Sequence, residues 1–258
     1  MMSKTMSKNL ILLAIAEIGG FILFYYLIVW YIHPDMLLSN PYYLVILVLL
    51  FLTLLYYILY VSPRLFSQST GLNIFRCQKK FLKKSECLSY GFFIIIAIIF
   101  IYIIIYLKYD TLFPHVNMYS LLLKFFFYLI SAVVQDLFFF AFLFMRIKYL
   151  FNIMLPNIKE EEQMMFNVLV FVLLFTLFHL PNYPLMALSF LFALGAGILY
   201  YYFPNLCLII GMHAFLGTLL HRVYQMHMKI GCYYLTEEGK GFFRKLIPFI
   251  DTIISQNW

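Results

Sequence analysis

The sequence predicts an all-α fold: a polytopic transmembrane helix bundle of about seven or eight spans. Three observations predict it. Of the 258 residues, 65% are hydrophobic and only 11% charged, against about 25% charged in an ordinary soluble domain. The apolar residues gather in runs close to the ~20 residues that a helix needs to cross a bilayer. Most lysines and arginines lie between these runs, as in the cytoplasmic loops of membrane proteins. Those loop cations account for the net charge of +7, so the expected partners are membrane lipids and not nucleic acid.

The first run, 9–32, follows Lys4 and Lys8 and shows no small-residue cleavage site. It reads as a retained span and not as a signal peptide. Runs 41–61 and 89–107 come next. Residues 62–88 between them hold six Lys/Arg, whereas 33–40 hold none, which places the N-terminus in the cytoplasm by the positive-inside rule. The expected location is the cell membrane, plasma or inner. The stretch "FFIIIAIIFIYIIIYL" (92–107) has no polar face and reads as a lipid-facing structural helix. Runs 119–145, 164–180, 183–203 and 205–220 complete the set. Loop 146–163 carries three Lys/Arg and loop 108–118 one. Pro181 and Pro184 in "LPNYP", and Pro204 in "FPN", separate the last three runs, because proline interrupts helices and favours turns. Helices joined so tightly are antiparallel neighbours.

Seven spans from a cytoplasmic N-terminus leave the basic tail 221–258 outside, against the rule. An eighth span there, or an interfacial amphipathic segment in "FFRKLIPFIDTIISQNW", resolves the conflict. The chain thus divides into N-terminal spans, 1–118, with the basic loop 62–88; a core, 119–220; and the tail, 221–258. Cys77, Cys87, Cys207 and Cys232 are scattered with no CxxC pair, so disulfide and thiol redox roles find no support.

Titratable side chains at membrane depth are costly and face a cavity or a partner, which makes each a candidate site residue. Here they are Glu17, Lys124, Asp136, His179 and His213, with the carboxamide Gln135 beside the acid. Lys124 is near the start of its run and can snorkel to the interface. Glu17 suits a lysine of another helix or a headgroup. His33 and His115 lie in loops, and His221 and His227 in the basic tail. Measured at ~1.5 Å per residue from the ends of their runs, Gln135, Asp136, His179 and His213 reach similar depths near mid-membrane. They form either one shared cavity or separate interhelical hydrogen bonds.

The segment "FTLFHLPNYPLMALSFLFALGAGILYYYFPNLCLIIGMHAFLGTLLH" resembles the C-terminal half of the CAAX-protease and bacteriocin-processing (CPBP, or Abi) family of intramembrane proteases. Phe175-xxx-His179 matches its FxxxH motif, and His213 the histidine of its HxxxN motif. Gly195, Gly197, Tyr200, Tyr201, Asn205 and Leu206 follow its linker. The resemblance covers about 119–220. It implies that an EExxxR glutamate and the FxxxH histidine activate a water. It also implies that the last histidine and its Asn hold the oxyanion, roles that suit a base and donors in a dry site. Here "QDLFFF" stands for EExxxR, with Gln135 for the first Glu, Asp136 for the second and Phe140 for the Arg, and Gly217 stands for the Asn.

A carboxamide takes no proton from water. Asp136 lies about 100° round the helix from Gln135, so it serves as base only on a rotated helix or through a bridging metal. Two histidines and a carboxylate are a legitimate catalytic zinc set, which makes Asp136, His179 and His213 the candidate ligands for a possible zinc. The expectation is a degenerate, non-catalytic CPBP-like protein, a pseudoprotease that binds a membrane-embedded peptide or protein client. The alternative is a divergent, active intramembrane endopeptidase using Asp136, His179 and His213. A transporter-like protein ranks third, because no matching halves with broken spans are visible.

Overall fold

The computed structural model describes residues 4–31, 41–65, 84–109, 118–222 and 230. Most of the basic loop 62–88, nearly all of the tail, and His33, His115 and His227 lie outside the described residues.

Among the described residues every regular element is helical. Helix α1 is Lys4–Tyr31. Helix α2 runs Pro41–Tyr56, passes through a π-helical turn, Tyr57–Val61, and ends as Ser62–Leu65. Helix α3 is Lys84–Tyr109. Helix α4 begins as Met118–Asp136, widens into a π-helical segment, Leu137–Phe144, and finishes as Met145–Met154. Helices α5, α6 and α7 are Glu160–Leu177, Tyr183–Tyr202 and Leu206–Arg222. Five segments are long and apolar enough to cross a membrane: Asn9–Trp30, Val45–Leu65, Ser85–Ile103, Met118–Met154 and Tyr183–Tyr202. Leu206–His221 is apolar but shorter. The chain is an integral membrane protein of the all-α class.

Two boundaries differ from expectation. The run 119–145 continues as helix to Met154, so Arg146 and Lys148 lie on a helix and not in a basic loop. Helix α5 stops at Leu177, two residues before His179. A series of tight turns follows, with His179 N–H donating to Thr176 O (3.0 Å) and Asn182 N–H to His179 O (3.0 Å).

The centre of the bundle is the π-helical segment, in which all eight residues are buried. A helix that is apolar all round belongs inside a bundle. Phe21 of α1 packs on Phe138, Phe139 and Phe142, with ring centroids 5.7, 5.9 and 5.8 Å away. Phe51 of α2 meets Phe138 at 5.8 Å. Phe140 meets Phe171 of α5 at 4.9 Å and Tyr200 of α6 at 5.3 Å. In lipid the hydrophobic effect gives little drive between helices, so shape complementarity and polar ties hold them together.

One polar tie joins three helices. Arg146 Nε donates to Glu17 Oε2 at 2.6 Å, with both side chains 3% exposed. Ser62 Oγ accepts from Arg146 Nε and Nη2, and Tyr57 O–H donates to Glu17 Oε1 at 2.6 Å. The partner of Glu17 is thus this arginine, neither a lysine nor a headgroup. Tyrosines supply further ties by satisfying carbonyls that helix ends leave open, which is costly to omit in hydrocarbon. Tyr25 and Tyr26 donate to Phe178 O (2.7 Å) and Leu177 O (3.3 Å) after α5. Tyr90 donates to Phe203 O (2.8 Å) after α6. Asn182 caps α6, its Oδ1 accepting from Leu185 N–H at 3.2 Å.

Candidate functional site

A cavity of about 490 Å³ lies between α1, α3, α4, α6, α7 and the turn after α5. Its walls are mostly aliphatic and aromatic, and its polar lining includes Gln135, His179, His213 and Ser189. Size and lining are those of a site for an apolar ligand held by a few polar groups. The two histidines come from separate elements, the turn after α5 and helix α7, yet flank one ring: Phe175 lies 5.1 Å from His179 and 6.3 Å from His213 between ring centroids. Phe192 packs on His213 at 5.0 Å and on Phe175 at 6.0 Å.

Each polar group has one defined anchor. His179 Nδ1 is 2.8 Å from Phe175 O, and because a carbonyl only accepts, Nδ1 carries the proton and donates. Gln135 Nε2 donates to Ser131 Oγ at 2.8 Å, one turn back on α4. His213 Nδ1 is 2.9 Å from Asp136 Oδ1. Asp136 is 0% exposed and does not line the cavity. Its position is behind His213, away from the space that a substrate would fill.

This geometry separates the two residues that stand for EExxxR. Gln135 faces the cavity with the histidines, where the resemblance places the water-activating glutamate. Asp136 is hydrogen-bonded to His213 and does not line the cavity, so the helix is not rotated to offer it as a base. Nor do Asp136, His179 and His213 make a metal site. Among the described residues no group of three His, Cys, Asp or Glu is placed to hold an ion. One carboxylate oxygen of Asp136 is engaged with His213, and the other, Oδ2, is buried without a partner. The two histidines and carboxylate read as a possible zinc set are thus not gathered around one point.

The other positions that depart from the motifs of the resemblance meet aromatic rings. Phe140, in place of the arginine, is 0% exposed and belongs to the aromatic core beneath the cavity. Phe139 lines the cavity without closing it. Gly217, in place of the asparagine, faces Tyr128 of α4. A Cβ on Gly217 would stand 2.5 Å from Tyr128 Cε1 and 2.8 Å from Cδ1. The tyrosine ring thus presses against the bare glycine backbone. Thr218 is no substitute donor, since its hydroxyl donates to Ala214 O at 2.7 Å. Gly217→Ala is expected to destabilise the protein by roughly 1–3 kcal/mol through overpacking, with the loss largely relieved by Tyr128→Leu. Thermal unfolding of the two variants in detergent checks this, and an undiminished Gly217→Ala would mean that the contact is not close.

Sequence reasoning missed part of the lining. Tyr25, Tyr128, Ser189 and Phe192 all line the cavity. Tyr128 and Ser131 lie seven and four residues before Gln135, hence on the same helix face, and that spacing was the available signal. Helix α3 supplies Phe93, Ile96, Ala97, Phe100 and Ile101 to the wall, which adds a cavity face to a run read as facing lipid on most sides with a structural role only. These five follow helical spacing, but in a run that is apolar on every side no pattern marks one face. The approach of α3 to α6 depends on Gly195, where a Cβ would strike the Phe93 ring.

No curated protein and no solved structure matches the chain. Residues 117–219 match the family model described as type II CAAX prenyl endopeptidase Rce1-like, and this segment holds α4 to α6, most of α7, and Gln135, Asp136, Phe140, Phe175, His179, His213 and Gly217. Over that core the chain is similar to this family of CAAX-protease-like membrane proteins.

Proposed function

We propose that this chain is a non-proteolytic member of that family, which holds an apolar, membrane-embedded peptide in the cavity between α3, α4, α6 and α7 without cleaving it. The observation that carries this reading is Gln135: the group beside His179 and His213 at the cavity is a carboxamide, which cannot act as general base. The absence of an asparagine at 217, with Tyr128 against the bare position, removes an oxyanion donor as well. The apolar walls and intact volume are what retention of a ligand requires. The basic loop 62–88 supports a cytoplasmic N-terminus in the cell membrane.

The test uses the protein in lipid vesicles with a photo-crosslinking phenylalanine at Leu188, on the cavity wall, or at Leu169, on the exposed side of α5. A prenylated CAAX peptide is expected to crosslink from 188 and not from 169, and to be recovered intact. Cleavage that disappears in His213→Ala, or equal crosslinking from both positions, would end this reading.

A second reading, a divergent endopeptidase, has one observation in its favour. The Asp136–His213 hydrogen bond of 2.9 Å is the arrangement by which a carboxylate orients a histidine base. It requires peptide hydrolysis that Asp136→Asn abolishes.

A further inference from the structure

Tyr128 joins the cavity to one end of the bundle. Asp136 of α4 meets His213 of α7, whereas Tyr128, about two turns earlier on α4, meets Gly217 and His221 further along α7. The two helices therefore run antiparallel, and α4 starts where α7 ends. The cavity follows them towards that end, lined by Gln135 and Tyr128 on one helix and by His213, Gly217 and Leu220 on the other. One turn beyond Tyr128 stands Lys124, whose ammonium lies over the Tyr128 ring, 5.7 Å from its centroid. The His221 ring packs on the same tyrosine at 6.3 Å. Both side chains are half-buried. Carboxylates are missing here among the described residues: α4 carries none before Asp136, α3 none after Glu86, and α7 none at all. Snorkelling accounts for a lysine at this depth, but not for its choice of face. Lys124, Tyr128, Ser131 and Gln135 recur at i, i+4, i+7 and i+11, which makes one stripe, and two members of that stripe line the cavity.

We infer that the cavity also takes a single-chain lipid with an anionic headgroup, which is held at Lys124 while the tail runs inward towards His179 and His213. Away from bulk water an ammonium attracts an anion far more strongly than it does in solution, and no carboxylate of α3, α4 or α7 competes for it at this end. The apolar walls take the tail. Lys124 and Gln135 are about 16 Å apart along the helix, so a medium-length alkyl chain spans the distance from the cation to the inner wall. This site depends on the cavity and on Lys124, and not on whether a peptide is held there.

The experiment uses the full chain in phosphatidylcholine vesicles with two probes, dodecyl phosphate and dodecanol, each carrying a diazirine at the end of its chain. After irradiation, mass spectrometry locates the labelled residues. The phosphate is expected to label the inner wall, Phe175 or Phe192, at about ten- to a hundredfold lower concentration than the alcohol, the value of one hydrogen bond to a charged group. The two probes partition differently into the vesicles, so the decisive quantity is the change in their ratio between proteins. Lys124→Gln should lower that ratio by the same factor and Lys124→Arg should keep it. Unaltered labelling by dodecanol shows that the variants retain the cavity. A ratio unchanged in Lys124→Gln, or labelling confined to lipid-exposed side chains such as Leu169 and Leu173, would overturn the inference and leave the peptide reading standing. Inner-wall labelling that depends on Lys124, in a protein to which the CAAX peptide does not crosslink from 188, would uphold the inference and overturn the peptide reading.

Discussion

Gln135→Glu is expected to convert this protein into a detectable peptidase. Glutamate is nearly isosteric with glutamine, so the substitution leaves the packing of α4 in place and changes one property at the cavity. It puts a carboxylate into the cavity that His179 also lines, at the position of the family's water-activating glutamate in the resemblance. A positioned general base contributes roughly 100- to 10,000-fold in rate, and a rise of that order over the wild-type chain is the expected outcome. The activity should stay well below that of a complete site. Position 217 supplies no oxyanion donor, and losing one typically costs about 100- to 1,000-fold. Release of fragments from a prenylated CAAX peptide, followed by mass spectrometry with Gln135→Glu/His179→Ala as control, measures the effect. If the glutamate variant is as inactive as its control, the loss of the base is not what silences this site.

The second large effect lies outside the cavity. Glu17→Ala leaves Arg146 buried without its carboxylate, and breaking a buried pair by removing one partner typically costs about 3–5 kcal/mol. Replacing both together, Glu17→Leu with Arg146→Met, should restore most of the stability, because two apolar groups need no compensation. Unfolding in detergent compares the three proteins. Equal stability of Glu17→Ala and wild type would mean that the ion pair contributes nothing. The consequence reaches function, because α1 also carries Tyr25, which lines the cavity and donates to Phe178 O beside His179. Loosening α1 from α4 therefore loosens the turn that positions the histidine.

Several features were legible before any coordinates. Long apolar runs must be helices in a bilayer, because no other local structure satisfies the backbone there. The proline-rich breaks at 181–184 and 204 marked where α6 begins and ends. The depth argument brought Gln135, Asp136, His179 and His213 to one level, and the cavity is lined by three of them and not by Asp136. The end of α4 was misread because Arg146 and Lys148 look like loop cations, and a buried arginine cannot be told from an exposed one until its partner is known. The π-helical segment after Asp136 left no local mark, since its residues are uniformly apolar.

The sequence by itself determined the class of the molecule, the order of its helices and the identity of the groups at mid-membrane, because hydropathy and helical rise are local properties. Only the tertiary structure decided how each helix is turned about its axis. That rotation sends Gln135 into the cavity and Asp136 behind His213, sets Tyr128 against Gly217, and gives Glu17 an arginine 129 residues away. Adjacent residues on a helix differ in direction by ~100°, and in an all-apolar run neither direction is marked as inside. Packing between distant segments makes that choice, and with it the chemistry of the site.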